Sequence, residues 1–297
     1  MRKLLPVLAL TVTAALCAGV QAQTLDKIKK DGAITIGHRD ASIPFSYFDD
    51  KQQPVGYSMD ICMKIADAVK AELKLPNLKV NLNPVTSATR IPLMANGTID
   101  LECGSTTNNI DRQKQVAFAP TTFITANRLA AKKASNITKL DDMKGKAIVS
   151  TSGTTNIKQI TELNGSKNLG MNIMAGKDHA ESFLMMETGR AVAFAMDDIL
   201  LFSLIANSKT PADFVVASES LSVEPYGIMM RKDDPAFKKV VDTAVMNMMK
   251  SGDLEKIYNK WFTAPIPPKG INLNLPMSPA LKKVFASPTD SGDPAKY

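Results

Sequence analysis

Histidine, tryptophan and cysteine are scarce in this chain: two, one and three residues among 297. With so few, no Cys/His cluster is available to hold zinc, and neither histidine lies in a nucleophile motif of a serine hydrolase. There is no G-x-x-x-x-G-K-S/T, no G-x-G-x-x-G and no H-E-x-x-H, so the usual nucleotide, dinucleotide and metalloprotease signatures are missing. Aromatic residues make up 6%, and no basic run is interleaved with them. The excess of 36 Lys+Arg over 29 Asp+Glu therefore suits anionic partners without implying nucleic acid. Glycine (16) and proline (17) are scattered, which excludes collagen-like and linker composition. Beyond residue 22 no stretch approaches the roughly 18–20 apolar residues of a membrane span. The longest, Ile199 to Ala206, is short and holds Ser203.

What is present suffices for two packed domains: 44% apolar and 22% charged residues, too apolar for a disordered chain. Residues 1–22 read as a secretory signal. Arg2 and Lys3 start it, Leu4 to Val20 is almost wholly apolar, and Val20-Gln21-Ala22 ends in a small residue. Cleavage near Ala22 and export to the periplasm as a soluble protein are expected. Cys17 follows the bulky Leu16, which argues against a lipid-modified cysteine. Cys62 and Cys103 then remain, and their spacing leaves a disulfide and two buried thiols both open.

Strands alternate with helices for most of the length, so the expected class is α/β. Strands are read at Ala33–Gly37, Lys79–Val85, Thr98–Cys103, Lys146–Ser150, Met171–Ala175, Ala191–Met196, Asp213–Ala217 and Gly227–Arg231. Helices are read at Ser58–Leu73, between Ser87 and Asn96, from about Thr155, at Ala180–Thr188, at Asp198–Asn207, from Asp234-Pro235 to Lys250, and from Asp253 to Phe262 as the last. The proline-rich tail from Ala264 reads as irregular wrapping. Polar residues follow the strands: His38-Arg39, Thr86-Ser87, Gly104–Thr107, Thr151–Thr155, Asp178-His179 and Asp197. Open α/β sheets bind ligands at those strand ends, so a polar pocket is expected. Gly104-Ser105-Thr106-Thr107-Asn108 and Ser152-Gly153-Thr154-Thr155-Asn156 echo each other. Backbone N–H groups at such turns hold carboxylates, although both also read as ordinary helix caps.

Gly56-Tyr57-Ser58-Met59-Asp60-Ile61, Gly97-Thr98-Ile99-Asp100 through Arg112 to Phe118, and Ser251-Gly252-Asp253-Leu254 through Trp261-Phe262 carry a resemblance to the family 3 extracellular solute-binding proteins. These are receptors of polar amino-acid ABC importers, and the likeness spans the chain beyond the signal. Ser58 stands where the family has an acidic residue and reads as a surface change. Gly37-His38-Arg39, Thr86-Ser87 with Arg90, Glu102–Asn109 and Lys177-Asp178-His179 resemble those members that bind glutamate and aspartate.

The resemblance implies two Rossmann-like lobes joined by a two-strand hinge, the type II periplasmic binding protein fold. Lobe 1 would hold residues 23–127 and 229–297, lobe 2 residues 128–228, with crossings near Thr125–Lys132 and Glu224–Arg231. It implies a ligand α-carboxylate on Arg112, helped by Thr107 and Thr155. The ammonium falls on Asp197 with Ser105 and Thr107, and a side-chain carboxylate on Arg39, Ser87, Arg90 and His179. The ligand would be L-glutamate or L-aspartate and the partner an inner-membrane ABC permease. A monomer without metal or cofactor, and no enzyme, is expected. A chemosensory receptor is the alternative, and a cyclohexadienyl dehydratase-like enzyme a further one.

The charges agree with that reading. Arg39, Arg90 and Arg112 against Asp197 make the expected pocket +2. Close guanidiniums repel by ~4 kcal/mol per pair at an effective dielectric of about 20, unless anions separate them. Each residue taken alone has a plainer role: Arg112 a helix-surface cation, Arg90 one half of a surface ion pair, Asp197 a helix cap, His179 structural. Phe45 and Tyr47 either cover the ligand or fill their loop, and Met185, Met186, Met246, Met248 and Met249 read as core.

Overall fold

A computed structural model describes residues 24–297. The expected signal segment and its cleavage site lie outside the described residues. Two five-stranded sheets form the frame. In the first, Lys79–Pro84, Ala33–His38 and Leu101–Glu102 run parallel. Met229–Arg231 lies antiparallel beside them, with Val116–Phe118 at the edge. In the second, Asn172–Gly176, Ala147–Thr151 and Ala193–Asp197 are parallel, Asn127–Lys132 is antiparallel to them, and Phe214–Val216 is the edge.

Each sheet thus takes its fourth strand from a chain arriving from the other lobe. The two passages, Phe123–Thr125 and Glu224–Tyr226, pair antiparallel with each other. This two-lobed arrangement with a paired hinge is the type II periplasmic binding fold. The paired hinge strands are short, because the chain beyond them, Asn127–Lys132 and Met229–Arg231, is engaged in the two sheets.

Helix Tyr57–Glu72 buries Ile61, Ile65 and Val69, the stripe that its i,i+4 spacing predicts. Helix Pro235–Ser251 starts on Asp234, whose carboxylate accepts from the Phe237 amide, and stops at Gly252. Gly252 also precedes helix Asp253–Phe262, so Asp253 is its first residue rather than its cap. That helix is not the last. Ser278 caps Pro279–Ala286, where Pro279 sits at the first position and loses no hydrogen bond. Leu281 and Val284 give it a buried face, and Pro265–Ile266 pairs with Ile271–Asn272, so the tail is more ordered than its prolines suggested. Strand Thr98–Cys103 shrinks to Leu101–Glu102 because the Asn96 side chain holds Thr98 in a turn. Helix Thr24–Asp31 and the small sheet Ala41–Ser42, Ser46–Phe48 and Pro54–Val55 had no clear periodic signal.

Lobe 1 is packed around aromatic rings: Phe45, Tyr57, Phe123, Tyr226, Tyr258 and Phe262 meet at centroid distances of 4.4–6.2 Å. Phe45 and Tyr47 therefore fill the core. Two of those rings, Phe123 and Tyr226, belong to the hinge strands, so the hinge is rooted in lobe 1. Lobe 2 has an aliphatic core around Leu129, Leu140, Ile148 and Ile160, and buries Phe183, Phe194 and Phe214 in a second group. Met185, Met186, Met248 and Met249 are buried as expected, whereas Met246 is 41% exposed and is no core residue. Cys62 and Cys103 form a disulfide, tying the helix Tyr57–Glu72 to the chain just before Gly104. No helix among the described residues is long and apolar enough to cross a membrane.

Candidate functional site

The strand ends of both sheets face one cleft, and the polar turns read from the sequence meet there. Arg39, Ser87, Arg90, Ser105, Thr107, Arg112, His179 and Asp197 are all buried, and Thr155 is half-buried. Contacts across the cleft bring the lobes together. Arg112 donates to the Thr107 carbonyl at 2.8 Å within lobe 1 and to the Gly153 carbonyl at 3.4 Å in lobe 2. Arg39 donates to Ser87 Oγ at 2.9 Å and lies 3.5 Å from His179 Nε2. Thr107 and Thr155 hydroxyls are 3.5 Å apart. At the rim Lys158 pairs with Asp111 at 2.8 Å, both exposed.

The echoed turns do not cap helices through Thr107 and Thr155. Thr154 Oγ1 accepts from Ile157 N and Asn109 Oδ1 from Arg112 N, which leaves the two Thr-Thr-Asn threonines to face each other. Gly153 is required where it stands. Its φ is +75°, and a Cβ would lie 2.5 Å from the Ala88 Cα of the opposite lobe.

Three carboxylates share the buried space. Thr106 donates to Glu102 Oε2 at 2.5 Å, and Arg90 donates to Thr106 Oγ1 at 2.6 Å, with its Nη1 4.0 Å from Glu102 Oε1. Glu102 is thus the counter-ion of Arg90. Asp197 accepts from Asn156 Nδ2 at 2.7 Å and from the Tyr226 hydroxyl, so although it stands at the N-cap position of helix Asp198–Asn207 its carboxylate makes no capping bond. Glu224, on the hinge, accepts from Thr155 at 2.9 Å and from Ser222 at 2.5 Å. The expected +2 pocket is corrected accordingly: three buried cations stand against three buried carboxylates. Glu102 was part of a quoted motif, and its parallel strand position beside Gly37 was the available signal. Asn156 ends the second echoed turn and Glu224 and Tyr226 lie in the expected second crossing, but no side-chain role at the site was read for any of the three.

Ser58 is also corrected. It is 2% exposed and its hydroxyl donates to the Gly104 carbonyl at 2.7 Å, so it supports the cleft loop from behind rather than facing solvent.

Burial, with Arg90 nearby, lowers Arg39 to about 10 and Arg112 to about 9; both keep their charge at neutral pH. Burial lowers Arg90 too, offset by Glu102. Burial raises Asp197 to about 7, helped by Glu224. His179 is pushed well below its ordinary value by burial and then by Arg39 and Arg90, so it is neutral. Its Nδ1 is 2.9 Å from Thr151 Oγ1, which is 2.9 Å from Ser182 Oγ, which donates to the Asp178 carbonyl. Arginine only donates, so Nε2 accepts from Arg39 and Nδ1–H donates to Thr151. Turning the Thr151 hydroxyl toward Nδ1 frees Nε2 to carry the proton instead.

Arg39 Nη1 and Ser105 Oγ are buried in the cleft without a protein hydrogen-bond partner. Among the described residues no group of three His, Cys, Asp or Glu side chains is placed to hold a metal ion. The arrangement is equipped to grip anions and one cation, and it presents no activated nucleophile.

The model of the bacterial extracellular solute-binding proteins, family 3, matches residues 34–264. The chain is 55% identical over 285 residues to the L-glutamate/L-aspartate-binding protein of Pseudomonas aeruginosa, covering 96% of this chain and 94% of that one. It is 47% identical over 289 residues to the glutamate/aspartate import solute-binding protein of Escherichia coli, covering 96% of each. Among solved structures, a mutant of the arginine-binding protein ArgBP from T. maritima superposes with TM-score 0.70 at 26% identity, over 80% of this chain and 98% of that one.

Proposed function

This chain belongs to the bacterial extracellular solute-binding proteins of family 3, and from that premise we propose that its cleft captures L-glutamate or L-aspartate for an ABC importer. It is a binder rather than an enzyme: its relatives are amino-acid-binding proteins, that of Escherichia coli a solute-binding protein of import.

The observation that carries the ligand class is the division of charge between the lobes. Lobe 1 contributes Arg39, Arg90 and Arg112 against one internal counter-ion, Glu102, while the third buried carboxylate, Glu224 on the hinge, is already held by the Thr155 and Ser222 hydroxyls. Lobe 2 contributes Asp197, which suits one ammonium. In this reading Arg112, Thr107 and Thr155 hold the α-carboxylate. Asp197, Ser105 and Thr107 hold the ammonium. Arg39, Ser87, Arg90 and His179 hold the side-chain carboxylate, His179 donating from Nε2. Arg39 Nη1, Arg90 Nε and Ser105 Oγ are among the buried polar atoms that have no protein partner, as is Glu102 Oε1. Guanidinium forks match planar carboxylates, and each charge-assisted bond contributes ~1.5–3 kcal/mol. Only closed lobes reach both ends of the ligand, so binding shifts the equilibrium toward closure.

Titration calorimetry with glutamate, aspartate, glutamine and arginine tests the assignment. Glutamate and aspartate bind tightest; tighter binding of glutamine or arginine refutes it. The remaining parts of the reading are a lobe division at residues 127/128 and 228/229, a monomer, delivery to an inner-membrane permease, and export with cleavage near Ala22. Amino-terminal sequencing of the exported protein gives Gln23 first if that cleavage is right.

A further inference from the structure

The loop Gly104–Gln113 carries Ser105, Thr107 and Arg112 on the cleft side, yet it contains only one short helix, Ile110–Gln113. Something outside the loop has to fix it. Its rear face is covered by the last residues of the chain. Asn108, wholly buried, donates its side-chain amide to the Asp290 carbonyl at 2.8 Å, and Gln113 donates to the same carbonyl at 2.9 Å and to Asn108 Oδ1 at 2.9 Å. The Asn108 backbone N–H donates to the Pro225 carbonyl of the hinge at 2.7 Å. Gly292 is buried against the loop backbone, where a Cβ would fall 2.7 Å from both the Asn109 carbonyl carbon and the Ile110 nitrogen.

The terminal segment is itself fastened to lobe 1. The Thr121 N–H donates to the Thr289 carbonyl at 2.8 Å, Lys238 pairs with Asp290 at 2.8 Å, and the Tyr297 hydroxyl reaches both Thr121 Oγ1 and the Ser291 carbonyl at 2.8 Å. We propose that Thr289–Tyr297 is a positioning strap, which holds the loop bearing Arg112 and Thr107 in its binding geometry against the hinge strand. Asn108 and Gly292 are its positioning residues. The strap supplies none of the groups assigned to the ligand, although Gly292 and Pro294 line a cavity shared with Thr107 and Thr155; it removes the ordering entropy that the loop would otherwise lose when a ligand binds. The inference rests on the reading of the cleft as an amino-acid site.

The test uses the full chain carrying Gly292→Ala, a second variant ending at Ser287, and Lys296→Ala as an exposed control. Glutamate and aspartate dissociation constants rise by about tenfold in Gly292→Ala and by more in the truncation. The ratio between the two ligands stays unchanged, because the loop holds the groups they share. Lys296→Ala binds as wild type. Hydrogen exchange of the Thr107–Gln113 amides accelerates in the two strap variants without ligand. If the truncation fails to fold, Gly292→Ala alone decides. Folded variants with wild-type dissociation constants and unchanged loop exchange overturn the strap. A wild-type protein that binds neither amino acid overturns the ligand reading instead, and loop exchange then still judges the strap.

Discussion

The two lobes share one sheet plan and differ in almost everything that plan carries. Lobe 1 is rigid and cationic: it holds the aromatic cluster, the disulfide, the hinge roots and all three cleft arginines. Lobe 2 has an aliphatic core and offers one carboxylate, a neutral histidine and hydroxyls. A doubly anionic ligand has far more to gain from the first lobe than from the second. In the proposed reading lobe 1 is the lobe that receives the ligand and lobe 2 is the cover, drawn in by the ammonium and by Thr155. Similar backbones with unlike charges make closure depend on a ligand that satisfies both faces.

Breaking the cationic side has the largest effect. Arg112→Ala lowers affinity for every amino acid by on the order of a hundredfold, since more than one charge-assisted bond is lost; calorimetry with glutamate and aspartate checks it. Equal affinity in that variant contradicts the division between lobes.

The next effect probes the cover. Asp197 stands at about 7, above the ~4 of a carboxyl in an unfolded chain. In the free protein its contribution to stability is full below pH ~4 and fades as pH rises through about 7. An ammonium partner favours the ionised form, so affinity for glutamate strengthens as pH rises through 7. The melting-temperature gain from added glutamate is accordingly greater at pH 8 than at pH 5.5. Asp197→Asn flattens that pH dependence and weakens binding by about tenfold.

Arg39→Ala and Arg90→Ala separate two cations on the same lobe. Both weaken acidic ligands by about tenfold and affect glutamine less. Arg90→Ala also lowers stability by about 3 kcal/mol because Glu102 loses its counter-ion, and Glu102→Gln added to it restores the melting temperature without restoring affinity. Arg39 acts on Glu102 only through space, without an ion pair or hydrogen bond to it, so its loss lowers the melting temperature less than that of Arg90.

The smallest effect on binding comes from the disulfide. Cys62 and Cys103 close a chain separation of 41 residues, and Cys62→Ser with Cys103→Ser lowers stability by about 2–4 kcal/mol while changing affinity less than about twofold. A large affinity loss there shows that the bond holds Gly104 and Ser105 for binding as well as lobe 1 for folding.

Most of the layout was legible in the residues because it rests on local patterns. The stripe Ile61–Ile65–Val69, the Asp234-Pro235 start and the small polar residues after each strand follow from periods and caps that neighbours along the chain decide. The tail helix Pro279–Ala286 was missed because prolines signal starts as well as breaks. Ser58 was misjudged because burial is set by what lies above a helix face, not by the face itself.

The amino-acid order alone fixed the alternation of strands and helices, and through the resemblance it singled out the nine polar residues of the cleft. Charge balance was a matter of the tertiary structure. Glu102 and Glu224 lie 122 positions apart in the chain, and only folding sets both within reach of the arginines. The disulfide was decided there too, and so was the cover of the Arg112 loop by residues nearly two hundred positions later. Coulomb energy and hydrogen bonds depend on distance through space, which a linear sequence does not contain.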